Sequence, residues 1–80
     1  MPSKKPASCV RRSRFGQNVA KLREERKMTQ EALAEGVGVS TRYLQSVEAG
    51  DYWPSLPTLA GFKGVLACSW EDLLAGCEKG

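Results

Sequence analysis

The sequence predicts an all-α fold of one small domain, on three observations. Between Gln30 and Ala49 (QEALAEGVGVSTRYLQSVEA), Leu33, Ala34 and Val37, then Val39, Leu44 and Val47, follow the helical period on either side of Gly38. Thr29 and Ser40 each place a side-chain oxygen just before one of these runs, as N-caps do, and the two capped starts are so close in sequence that little but a turn fits between the first helical run and the second. Finally, 80 residues suit one domain whose core is too small for a buried active-site cavity together with a lid or second lobe.

In chain order, Met1 to Arg12 carries two prolines and four basic side chains without apolar periodicity, and reads as a flexible basic N-terminal arm. Two roles fit it: contact along a phosphate backbone, or a leader that adds only diffuse attraction. From about Ser13 to Lys27, Phe15, Val19 and Leu22 make one apolar stripe, so the first helix is amphipathic, and Arg23 falls at the margin between core and water. Leu33 and Val37 are the inward positions of the second helix, with the small Ala34 beside them allowing a close crossing. Gly38 fits a turn that needs positive φ. On a helical wheel of the third helix, Leu44 and Val47 point to the core. Arg42 then lies on the opposite face, with Gln45, Ser46 and Ala49 within roughly 60° of it, Thr41 and Tyr43 on the flanks, and Glu48 on the core side.

Gly50 is a C-cap candidate, and Asp51 to Pro54 form a loop. Within it Trp53 reads first as a lid on the core, while Tyr52 either hydrogen-bonds a phosphate or faces water. Ser55 caps a fourth helix with Pro57 in its first turn and Leu56, Leu59, Phe62 and Leu66 as its inner face. Ser69 with Asp72 starts a short last helix, where Trp70, Leu73 and Leu74 offer more apolar surface than such a helix can hide. Trp53, Trp70 and Leu73 are therefore the expected contacts with a second subunit. Cys68 is expected in the core and Cys77 in an exposed tail.

Composition narrows the function. The chain has no histidine, hence neither the usual neutral-pH acid/base nor the commonest metal ligand, and its three cysteines lack CxxC spacing. Glu24 and Glu25 point about 100° apart on a helix and cannot act on one atom. No enzyme activity, metal, cofactor or small-molecule substrate is expected. The absence of a membrane-length apolar run and of a signal-peptide h-region points to a cytoplasmic protein with no membrane partner. Net charge is +3, but residues 1–27 carry nine Lys/Arg against two Glu, while residues 28–80 carry three against seven acids. That basic end is a candidate for polyanion contact, though a solvated charge run is an equally ordinary reading.

LREERKMTQEALAEGVGVSTRYLQSVEAG, followed by PSLPTL and LACSWEDLL, resembles the phage repressor and Cro (Xre-type) helix-turn-helix family from about Phe15 to Leu74. The resemblance implies a compact five-helix lambda-repressor-like DNA-binding domain at 13–75, with its helix-turn-helix at 30–49, between the arm (1–12) and a C-terminal tail (76–80). It implies base-edge contacts from Thr41, Arg42 and Ser46, with Gln45 on the same face, and phosphate contacts from Gln30, Ser40 and Tyr43, to which the loop adds Tyr52. It also implies a structural ion pair between Arg23 and Glu48. Three departures stand out: Lys63 where many members have alanine, Asp51 where relatives often place a basic phosphate contact, and Arg42 as the sole basic side chain on the recognition helix. The implied function is a sequence-specific transcriptional regulator that binds double-stranded DNA, at a palindromic operator, as a homodimer. A second class is an antitoxin or co-regulator of the same fold whose main partner is another protein, which would copurify with it.

Overall fold

The computed structural model describes residues 7–77, with side chains from residue 12 onward, and among these residues it has five helices and no strand. They are α1 (Ala7–Glu25), α2 (Gln30–Val37), α3 (Thr41–Glu48), α4 (Leu56–Leu66) and α5 (Trp70–Leu73). α1 packs against α3, α4 and α5, while α2 packs against α3 and α4. The apolar stripes anticipated from the sequence meet in one core: Phe15, Val19, Leu22, Leu33, Ala34, Leu44, Val47, Leu59, Phe62 and Leu66 are all buried. Phe15 is central to it. Its ring lies edge-on to Phe62 with centroids 6.0 Å apart, and the Trp53 ring covers it at 5.2 Å.

Capping fixes the ends of α2 and α3. Thr29 Oγ1 accepts from the Ala32 amide and Ser40 Oγ from the Tyr43 amide, each at 3.0 Å, so two of the amides that helix ends leave unpaired find a partner. Gly38 takes φ 92°, and its amide bonds back to the Ala34 carbonyl, turning the chain from α2 into α3. Gly16 sets how near this pair lies to α1. A Cβ there would stand 2.4 Å from the Val47 carbonyl oxygen and 2.7 Å from that of Glu48, so only glycine permits the α1–α3 contact as built.

Several elements differ from the sequence reading. α1 begins at Ala7, so residues 7–12 of the anticipated arm are helical, while residues 1–6 lie outside the described residues. At its other end α1 stops at Glu25, and Lys27 adopts a left-handed conformation (φ 57°) that lets the Met28 amide reach the Arg23 carbonyl at 3.0 Å. Leu56 is not on the inner face of α4. It is 73% exposed, because as the first helical residue it projects past the end of the core. Ser55 occupies the N-cap position but bonds the Thr58 hydroxyl at 3.2 Å and not a backbone amide.

Cys77 is buried, 5% exposed, contrary to its assignment to an exposed tail: Gly76, at φ 80°, turns the chain back over the bundle. Leu73 is fully buried in its own bundle, which removes it from the expected subunit contact and makes it a core residue. Asn18 holds that end of the chain, donating to the carbonyls of Leu73 and Ala75 at 2.9 and 3.0 Å. Arg26, from the end of α1, donates to the Leu66 carbonyl at the end of α4. Both tether positions where the last turn of a helix has carbonyls without intrahelical partners.

Candidate nucleic-acid interface

The site is built on the two faces of α3. Its inner face buries Leu44 and Val47, which leaves Arg42 and Gln45 exposed on the outer face and Thr41 and Ser46 half-buried on its margins. The carboxylate at the end of the helix does not reach that outer face. Glu48 turns inward, where Arg23 Nε meets its Oε2 at 2.8 Å and Arg23 Nη2 meets its Oε1 at 3.2 Å. The two side chains are 13% and 9% exposed, and the expected Arg23–Glu48 pair is thus present as a planar two-point contact. Glu48's hydrogen bonds outweigh desolvation and hold the Arg23 guanidinium still more firmly protonated. A third Arg23 nitrogen donates to the Met28 carbonyl at 2.9 Å, so one side chain ties α1, the turn after it and α3.

Gln30 joins this network. Its Nε2 donates to Glu48 Oε1 at 2.9 Å, and its Oε1 accepts from Gln45 Nε2 at 3.4 Å. Sequence reasoning assigned Gln30 to a phosphate and Glu48 to the ion pair, without joining them. Nothing in their spacing signals the link, because it depends on the α2–α3 crossing angle that brings the start of one helix beside the end of the other.

At the other edge of α3, Tyr43 and Tyr52 stack with centroids 5.8 Å apart and planes 16° from parallel. Burial, with Tyr52 adding to it, pushes the Tyr43 phenol above its ordinary range. Ser40, Arg42, Tyr43, Ser46 and Tyr52 line a shallow depression of about 450 Å³, so five of the eight anticipated DNA-contacting residues border one concavity. Thr41 lies at the start of the same helix, and Gln30 and Gln45 are joined beside it.

Elsewhere, Trp53 and Trp70 are 43% and 41% exposed. The Lys63 ammonium lies 5.6 Å from the centre of the Trp70 ring, so the departure at Lys63 is accommodated by a cation–π contact. Burial pushes the Cys68 thiol up, as suits a half-buried thiol packed against the core. Among the described residues there is no cluster of His, Cys, Asp and Glu able to hold a metal, and no helix long and apolar enough to cross a membrane.

A family model described as helix-turn-helix matches residues 19–73, which takes in all of α2 to α5 and the C-terminal part of α1. The chain belongs to this helix-turn-helix family. Members of it are DNA-binding transcription regulators and not enzymes. Among relatives of this helix-turn-helix chain, the immunity repressor protein of Bacillus phage phi105 is 45% identical over 51 residues, 64% of this chain and 35% of that protein. The HTH-type transcriptional regulator YqaE of Bacillus subtilis (strain 168) is 31% identical over 62 residues, 78% of this chain and 53% of that one. The chain thus spans about a third and about half of the length of these two relatives. Two solved structures of regulators share its helix-turn-helix fold. The restriction-modification controller protein C.AhdI from Aeromonas hydrophila superposes with a TM-score of 0.76 at 28% identity, covering 80% of this chain and 97% of that one. The clp gene regulator ClgR from Corynebacterium glutamicum superposes at 0.83 and 27% identity, covering 98% and 96%.

Proposed function

We propose that this chain is a sequence-specific transcriptional regulator that binds a two-fold operator as a homodimer, with α3 in the major groove of each half-site. The observation that carries this reading is the outer face of α3: Arg42, Gln45, Ser46 and Thr41 are presented there, while the one acid of the helix is turned inward onto Arg23. A face so cleared of carboxylates can approach phosphates without repulsion. Arg42 is the candidate for a bidentate contact to guanine O6 and N7, and Thr41, Ser46 and Gln45 for neighbouring base edges. Ser40, Tyr43 and Tyr52, which border one depression, and Gln30 at the start of α2 are the candidates for contact with the backbone. The resemblance to an immunity repressor and to a controller protein supports the regulatory role.

The second copy is expected to dock over Trp70 and Trp53, the half-exposed rings left once Leu73 is assigned to the core. Paired recognition helices then require half-sites about 10 bp apart. Selection from a random duplex pool, followed by footprinting, tests the whole reading. A palindrome with that spacing supports it, and recovery of no enriched sequence refutes it.

A further inference from the structure

The hydrogen bonds running from Arg23 to Gln45 have a fixed direction. A carboxylate only accepts, so Glu48 Oε1 obliges Gln30 to present its amide nitrogen, at 2.9 Å. The Gln30 carbonyl oxygen is thereby turned the other way, and Gln45 meets it with an amide nitrogen of its own, at 3.4 Å. One hydrogen of Gln45 Nε2 is engaged in that bond. Its second hydrogen and its Oε1 take no part in that bond, and Gln45 is exposed on α3.

We propose that Glu48 and Gln30 act as positioning residues that hold the Gln45 amide in one orientation and make it a reader of adenine. This rests on the proposed placement of α3 in the major groove. Adenine shows an acceptor, N7, beside a donor, the N6 amino group, and an amide held with one N–H and its Oε1 outward matches both. Guanine shows two acceptors there, N7 and O6, and sets one of them against Oε1. The terminal torsion of an unheld glutamine is broad and roughly two-fold, so its amide presents either edge. Selectivity at that base pair therefore originates two residues back from the DNA, at an acid that contacts no base.

The test is selection from a random duplex pool with the unsubstituted chain and with Gln30→Met, Gln45→Ala and Gln45→Glu, reading base frequencies position by position. Methionine keeps the bulk of Gln30, removes both its polar groups, and leaves Glu48 its two bonds from Arg23. Thermal melting verifies that each variant folds, and Gln45→Glu, at an exposed position, keeps the test decisive if Gln30→Met does not. The unsubstituted chain should prefer adenine over guanine about tenfold at one position per half-site. That preference should vanish in Gln45→Ala. In Gln30→Met it should fall to about threefold or less there while the other positions keep theirs. In Gln45→Glu, an acceptor alone, it should move toward cytosine and its N4 amino group. An even loss of affinity in Gln30→Met with the adenine preference intact would make Gln30 a phosphate contact only and overturn the proposal. So would an unchanged motif in either Gln45 variant. If the unsubstituted chain enriches no motif, the DNA reading itself fails and the proposal with it, a result distinct from a motif that ignores Gln30.

Discussion

Replacing Glu48 with alanine should unfold this domain far more easily than its position on a surface helix suggests. Glu48 accepts three hydrogen bonds, from Arg23 Nε at 2.8 Å, Arg23 Nη2 at 3.2 Å and Gln30 Nε2 at 2.9 Å. Its loss leaves the Arg23 guanidinium, 13% exposed, beside the Met28 carbonyl and with Glu24 no nearer than 3.9 Å. Breaking a fully buried pair from one side costs about 3–5 kcal/mol. The edges of this pair reach water and Arg23 keeps the Met28 carbonyl, so the cost falls below that range, to ~2–3 kcal/mol. In a domain of this size that corresponds to a fall in Tm of roughly 10–20 °C. Urea denaturation followed by circular dichroism should show a lower midpoint with an unchanged m-value. The double variant Arg23→Met with Glu48→Leu should recover most of the loss, since a well-packed apolar pair needs no charge compensation. A Glu48→Ala variant within about 0.5 kcal/mol of the unsubstituted chain would refute the view that this pair clamps α3 to α1.

Other substitutions separate sterics, propensity and ionisation. Gly16→Ala should destabilise by ~2 kcal/mol or more, because its Cβ would collide with the backbone of α3, whereas Gly64→Ala should stabilise by ~0.5–1 kcal/mol, because nothing lies within 4 Å of that Cβ and alanine favours a helix; thermal melts of the two variants compare them directly. Tyr43 gives a pH effect of definite sign. Its folded-state pKa is raised above 10.0 by burial, so its contribution is complete below that value and is lost as pH rises, because the unfolded phenol ionises first. The urea midpoint of the unsubstituted chain should accordingly fall more steeply above about pH 10 than that of Tyr43→Phe.

The parts of the fold legible in the sequence are those that local chemistry determines. Thr29, Ser40 and Ser69 are caps because a short hydroxyl side chain can reach an amide three residues on, and each does so at 3.0 Å. Gly38 is a turn because only glycine takes φ 92° without steric cost. The Arg23–Glu48 pair was reachable through the family resemblance alone, since read singly each charge belongs to a solvated face. What escaped depended on distant chain. Ala7 to Arg12 extends α1 without an apolar stripe to mark it, and Leu56 fits the wheel of α4 yet overhangs the core. Cys77 is drawn inward by the reversal at Gly76, over the side chain of Arg14. Gly16 reads as a weak point in a helix until the backbone of α3 is seen against it.

Gln30 and Gln45 show the same limit at the candidate interface. Residue type and helical face nominated both, but their hydrogen bond, and the acid behind it, exist only once α2 and α3 have crossed.

The placement of α3 in DNA is tested most directly by titrating the unsubstituted chain and Arg42→Ala against the selected two-fold duplex and a scrambled duplex of equal length, at one salt concentration. The unsubstituted chain should prefer the selected duplex by at least a thousandfold, and Arg42→Ala should lose about 1–3 kcal/mol of that preference per half-site with little change on scrambled DNA. Equal affinity of the unsubstituted chain for the two duplexes, or an unaltered preference in Arg42→Ala, would contradict it.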